Sequence, residues 1–205
     1  MKTLTIYPDN PNERHIAEAA EALRRGEIIV YPTDTVYALG CDALNNRAIE
    51  RLCHIKGITP DKNLLSIVCA DLSMASEYAR IDNRAFRILK EYLPGAFTFI
   101  LPAATTLPKA FKGRKSTGLR IPNNNIARAL VSELGHPLLT TSVPPDYDND
   151  EEIASPGAIG MRYEKSGDVS LLIDGGEGGC IPGTIVDLTD SSEPVIVRQG
   201  EALFE

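Results

Sequence analysis

Long apolar runs are missing from this 205-residue chain. No stretch approaches the roughly 18 residues needed to cross a bilayer. The opening Met1-Lys2-Thr3 runs directly into Leu4-Thr5-Ile6-Tyr7 and lacks the charged-then-apolar pattern of a signal peptide. A cytoplasmic protein with no membrane partner is therefore expected. Cysteine is sparse: Cys41, Cys53, Cys69 and Cys180 form no C-x-x-C pair and none sits beside a histidine pair. Reduced, mostly buried thiols are expected, and no metal site. His15, His54 and His136 show no triad or ligand spacing. No G-x-x-x-x-G-K-[ST] sequence exists, which excludes a P-loop. The glycine run 175–179 leads to Pro182 and another strand, where a dinucleotide-binding fingerprint needs a helix. It is expected to be a flexible loop. There is no internal repeat. Bulk positive charge is also absent: the net charge of −7 argues against broad, non-specific contact with phosphate backbones but leaves a local basic site open.

What remains is an ordinary globular composition, 43% apolar and 24% charged, at a length suited to one domain over residues 1–205. Strand and helix patterns alternate. Short strands are expected at 3–7, 27–31, 64–69, 97–101, 119–121, 138–141, 171–173, 184–188 and 195–198. Helices are expected at 13–25, 46–56, 73–79, 83–92 and 126–134, with Gly26 and Gly57 as left-handed stops. This ordering points to an α/β fold with one twisted mixed sheet and helices on its faces.

Several segments could carry chemistry. Tyr31-Pro32-Thr33-Asp34-Thr35-Val36-Tyr37 places hydroxyls and a carboxylate at the carboxyl end of a buried strand, where α/β sheets bind ligands. If this segment stays extended, Thr33, Thr35 and Tyr37 share one face. A structural turn is the competing expectation. Lys56 and Lys62 bracket a Gly/Pro loop between a helix and a strand. Lys56 lies seven residues after Ile49, on the buried side of its helix, which suits a compact phosphate-binding charge. Lys109, Lys112, Arg114, Lys115 and Arg120 form the only strongly basic stretch, with Phe111 available for base stacking. Within it, Arg120 is flanked by Leu119 and Ile121 and should point from a strand into a polar cavity. Thr140 and Ser142 end another buried strand in hydroxyls, while Thr184 and Arg198 lie on the final strands. Residues 144–152 carry five acids and read as a solvated loop or a lid.

In order and spacing, these segments resemble the YrdC/YciO family. The carriers are Tyr-Pro-Thr-Asp-Thr-Val-Tyr-Ala-Leu-Gly at 31–40, the Lys56/Lys62 loop, Pro94 to Leu101, Leu119-Arg120-Ile121-Pro122, Leu138 to Ser142, Gly183 to Asp187 and Val197 to Gly200. The opening Ile6-Tyr7-Pro8-Asp9-Asn10-Pro11 is more similar to the YciO branch. The resemblance implies a YrdC/RibB-like twisted sheet with a basic concave cavity. It also implies binding of ATP or AMP, and association with tRNA or double-stranded RNA. The family activity joins L-threonine, bicarbonate and ATP, with Mg2+, into threonylcarbamoyl-AMP and pyrophosphate for tRNA modification. On that resemblance Lys56 and Lys62 face phosphates, Ser142 and Thr184 offer hydroxyls, Arg198 adds charge, and Thr33 and Arg120 hold the amino acid.

Two departures from the synthase pattern stand out. Ile58 occupies the place of an arginine, and Pro144 that of an asparagine. The histidine expected after the lysine loop is also absent. Losing two contacts to charged groups costs roughly 3–5 kcal/mol, or about 10² to 10⁴ in rate if both act in the transition state. The expected function is thus a nucleotide-binding, synthase-like nucleotidyltransferase of reduced or divergent activity. The alternative is a non-catalytic RNA-binding protein of translation or RNA maturation that uses Lys109, Lys112, Arg114 and Lys115.

Overall fold

The computed structural model describes residues 1–59, 65–104, 113–144 and 153–205. In chain order its elements are β1 (Lys2–Thr5), α1 (Glu13–Arg24), β2 (Ile29–Tyr31), β3 (Ala38–Asp42), α2 (Asn46–Lys56), β4 (Ser66–Val68), α3 (Leu72–Tyr78), α4 (Asn83–Tyr92), β5 (Phe97–Pro102), β6 (Ser116–Arg120), α5 (Asn125–Leu134), β7 (Leu138–Ser142), α6 (Pro156–Glu164), β8 (Leu171–Asp174), β9 (Thr184–Asp187) and β10 (Val195–Arg198). Side-chain caps explain most helix starts: Asn12, Asn45, Asp71, Asp82 and Asn124 each accept an amide from the first turn. Left-handed glycines follow three of them, Gly26 at φ 80° beyond α1 and Gly57 at φ 67° after α2, both as expected, and Gly135 at φ 83° after α5. No helix among the described residues is long and apolar enough to cross a membrane.

All ten strands join one mixed sheet in the order β1-β8-β2-β3-β7-β4-β6-β5-β9-β10. Strand pairing assigns every side chain to a face, because paired residues share a side and neighbours along a strand alternate. One face carries Val30, Leu39, Ile67, Phe99, Leu119, Leu139 and Val186, covered by α2, α3, α4 and α6 in a single apolar cluster. Tyr92, Phe97, Phe99 and Phe204 interlock within it, so the C-terminal residues also pack on this side.

The other face is divided. Over β1, β8 and β2, Leu4, Ile29, Tyr31 and Ile173 are buried under α1 and α5, along with Leu138 of β7. Beyond that cover the same face turns polar. Ser66 pairs with Gly118 and Thr140, Val68 with Arg120, Ala38 with Ser142, and Thr98 with Ile185, which in turn pairs with Arg198. This polar half-face lies where the resemblance implied a basic cavity.

Two elements differ from expectation. Residues 38–42 form β3, buried on both faces, where no strand was expected. Residues 156–164 form α6, where no helix was expected. The glycine run 175–179 is not a loose loop. Gly179 N donates to the Thr35 carbonyl at 2.7 Å and Gly178 N to the Ala154 carbonyl at 2.8 Å. A Cβ at Gly179 would stand 2.8 Å from that Thr35 oxygen, so only glycine lets this backbone lie against the 33–36 turn.

Candidate functional site

The segment after β2 bends rather than extending. The Thr33 hydroxyl donates to the Val36 carbonyl at 2.7 Å and accepts the Thr35 amide at 3.1 Å, closing a tight turn. The condition for a shared Thr33–Thr35–Tyr37 face is therefore not met. Tyr37 is fully buried, and its hydroxyl donates to the Gly176 carbonyl and accepts the Gly175 amide. Burial pushes its pKa up to about 12. In this structure Tyr37 is a strut that holds the glycine run.

The turn is pinned over the polar half-face. Asp34 accepts from Arg120 Nη2 at 3.0 Å with one carboxylate oxygen and from the Asn123 amide at 2.7 Å with the other. Thr35 Oγ1 lies 3.3 Å from the same Arg120 nitrogen. Asn124, which caps α5, also donates to the Thr33 carbonyl at 3.2 Å. Arg120 is only 8% exposed. Its Nε is buried without a hydrogen-bond partner. A buried guanidinium nitrogen left unpaired inside a polar surface is costly, and an oxyanion ligand would satisfy it.

Arg198 lies in the same cross-strand row as Arg120, on β10. It donates to the Gly183 carbonyl at 2.8 Å, and its pKa is lowered first by burial and then by the Arg120 charge. Two guanidiniums thus share one end of the half-face. The middle row is lined by Ser66, Gly118 and Thr140. Thr140 is committed to the Tyr31 hydroxyl at 2.7 Å, at the border with the apolar half. Gly118 leaves the floor open, since a Cβ there would lie 2.8 Å from Ser66 Oγ.

Lys56 closes the opposite end. Its Nζ donates to the Ser142 carbonyl at 3.0 Å. Its pKa is lowered first by burial and then by the nearby Arg162 charge. From Arg120 to Ser142 the register runs four residues along the strands and two strands across, roughly 16 Å between Cα atoms. By this register the Cα atoms of Arg120 and Ser142 stand at opposite ends of the polar half-face, with a cation bonded near each.

The other expected residues fall as follows. Thr184 is not brought to this face. It pairs with Phe97 on the helix-covered side, is fully buried, and its hydroxyl donates to the Ala202 carbonyl and accepts the Gly200 amide. Of the basic stretch, Lys109 and Lys112 lie outside the described residues, as do Lys62 and the acidic run 145–152. Arg114 is half-buried, close enough to α2 for its charge to act on Cys53, one turn from Lys56. Lys115 is exposed just before β6. No group of three or more His, Cys, Asp or Glu among the described residues could hold a metal ion. Sequence reasoning missed Asp34 as the partner of Arg120, although it sits inside the quoted motif. It also missed Arg162, which carries no sequence signal.

The Sua5_yciO_yrdC family model, described as telomere recombination, matches residues 21–200. The chain is 44% identical over 197 residues to YciO of Escherichia coli (strain K12), covering 95% of this chain and 93% of that one. The crystal structure of E. coli YciO superposes with a TM-score of 0.88 at 43% identity, covering 97% of this chain and 95% of that one. Threonylcarbamoyl-AMP synthase of Bacillus subtilis (strain 168) is 30% identical over 209 residues, 98% of this chain but 59% of the synthase. The crystal structure of Pyrococcus abyssi Sua5 complexed with L-threonine gives a TM-score of 0.82 at 27% identity, covering 98% of this chain and 58% of that one.

Proposed function

This chain belongs to the Sua5/YciO/YrdC family, and on that premise we propose that its polar cleft binds ATP and an amino acid as a slow or divergent synthase of the threonylcarbamoyl-AMP type. The observation that carries the reading is Arg120: a buried guanidinium held by Asp34 and Thr35 at the polar half-face, with Arg198 in the same cross-strand row. The Sua5 relative complexed with L-threonine supports an amino acid as one ligand, and the carboxylate of threonine suits this pair of guanidiniums. The synthase relatives support ATP as the other, with its phosphates towards Lys56 and Ser142. Mg2+ would enter together with ATP, since no group of three or more His, Cys, Asp or Glu among the described residues could hold it.

The chemistry asks little of side chains. The threonine nitrogen attacks the bicarbonate carbon, and loss of water leaves a carbamate. A carbamate oxygen then attacks the α-phosphorus, and the bond from that phosphorus to the pyrophosphate oxygen breaks. Positioned reactants and fixed positive charge where phosphate charge shifts account for most of such a rate. No side-chain nucleophile is required. Ile58 and Pro144 remove two donors from the phosphate end, which is why the proposed rate is low.

Pyrophosphate release with ATP, bicarbonate and L-threonine tests the reaction. The expected result is slow, threonine-dependent release at high enzyme concentration. Release with no threonine dependence would remove the synthase chemistry. Absence of any melting shift with ATP or AMP would remove the nucleotide site itself, because a ligand that binds only the folded state must raise the melting temperature.

A further inference from the structure

Pro144 cannot donate a hydrogen bond, yet its carbonyl is not idle. Arg162 Nη1, from the last turn of α6, donates to it at 2.7 Å. Two residues earlier, the Ser142 carbonyl receives Lys56 Nζ at 3.0 Å. The ammonium of α2 and the guanidinium of α6 are thus tied to carbonyls two residues apart on one short segment, at the end of the half-face away from Arg120. No carboxylate among the described residues lies within ion-pair distance of either. They are near enough to repel, since Arg162 is the charge that acts on Lys56. Such an arrangement gains stability from a polyanion placed against both. Lys56 is half-buried and Arg162 exposed, so the arginine meets the outer part of any phosphate chain.

We propose that Arg162 is a substrate-binding residue for the outer phosphates of a nucleoside triphosphate, supplying from α6 the cationic donor that Ile58 and Pro144 no longer supply. A guanidinium offers five donors in a planar fork suited to phosphate oxygens, and the Pro144 carbonyl and the Tyr163 ring beneath it use only part of that capacity. At this position it rests on the leaving pyrophosphate in the reaction proposed above. The inference depends on that nucleotide reading and deepens it by specifying triphosphate over monophosphate selectivity.

The experiment compares ATP and AMP affinities, by calorimetric titration of the full chain, for the wild type, Arg162→Gln and Arg162→Lys. The expected result is a loss of roughly tenfold or more in ATP affinity for Arg162→Gln with AMP affinity unchanged, and a smaller loss for Arg162→Lys, which keeps charge without the fork. Arg162 is exposed, so melting curves should overlay and exclude misfolding. If the wild type binds both nucleotides and Arg162→Gln leaves their affinity ratio unchanged, the role of Arg162 is overturned while the nucleotide site stands. If the wild type binds neither nucleotide, both readings fall together.

Discussion

At one end of the cleft Arg120 is buried and fixed from several sides, by Asp34, by Thr35 and by an Asn123 amide that locks the carboxylate. At the other end Lys56 is half-buried and rests on a single main-chain carbonyl, with Arg162 on another. The tight end consists of residues that match the family motif, Thr33, Asp34 and Arg120. The loose end holds both departures, Ile58 and Pro144. A site whose members are tied to one another by buried ion pairs resists substitution, because each loss strands a partner. Cations that lack a buried carboxylate partner can be dropped in one place and regained in another, as α6 does with Arg162, held by the Pro144 carbonyl and the Tyr163 ring.

The largest effect that tests this contrast comes from Arg120→Ala. It leaves Asp34 buried and unpaired, and denaturant unfolding should show a loss of about 3–5 kcal/mol. An equal loss from Lys56→Met would break the comparison, because the two ends would then be equally structural. Gly118→Val comes next. The new side chain must displace Ser66 and fill the cleft floor. A stability cost of roughly 1–3 kcal/mol is expected together with loss of ATP binding. Tyr37→Phe removes the acceptor of the Gly175 amide and the donor to the Gly176 carbonyl, and should cost about 1–2 kcal/mol without abolishing ligand binding.

The smallest effect is the most diagnostic. Burial lowers the pKa of Lys56 below its ordinary 10.5, so the folded chain holds this proton less tightly than the unfolded chain. Stability from this group therefore rises as pH climbs from the lowered value towards 10.5. Lys56→Met should match or slightly exceed wild-type stability at neutral pH, and that margin should shrink in alkaline melts. A margin that grows with pH would mean that Lys56 is stabilised by a partner rather than strained by burial.

The sequence made much of this visible. The position of Lys56 seven residues after Ile49 foretold its half-buried setting, and Arg120 between Leu119 and Ile121 marked a strand arginine that proves buried against Asp34 and Thr35. The hidden parts have physical reasons. Ala38-Leu39-Gly40-Cys41-Asp42 is buried on both faces, so β3 lacks the alternation that marks a half-exposed strand. α6 starts at Pro156 without a side-chain cap and contains Gly157 and Gly160, so both the start signal and the helix-forming residues are weak. Thr184 took its ligand role from the family resemblance, which does not encode the face of the strand. Only the pairing with Phe97 reveals that it faces the helices. Arg162 escaped notice because its role depends on the Pro144 carbonyl, a contact between segments that no local pattern encodes.

The division of the cleft is tested most directly by titrating ATP and L-threonine separately into the wild type, Arg120→Lys and Lys56→Met. Arg120→Lys should lose threonine and keep ATP, because a lysine preserves the charge beside Asp34 but not the second nitrogen for a carboxylate. Lys56→Met should lose ATP and keep threonine. Both folded variants binding both ligands as the wild type does would contradict the account.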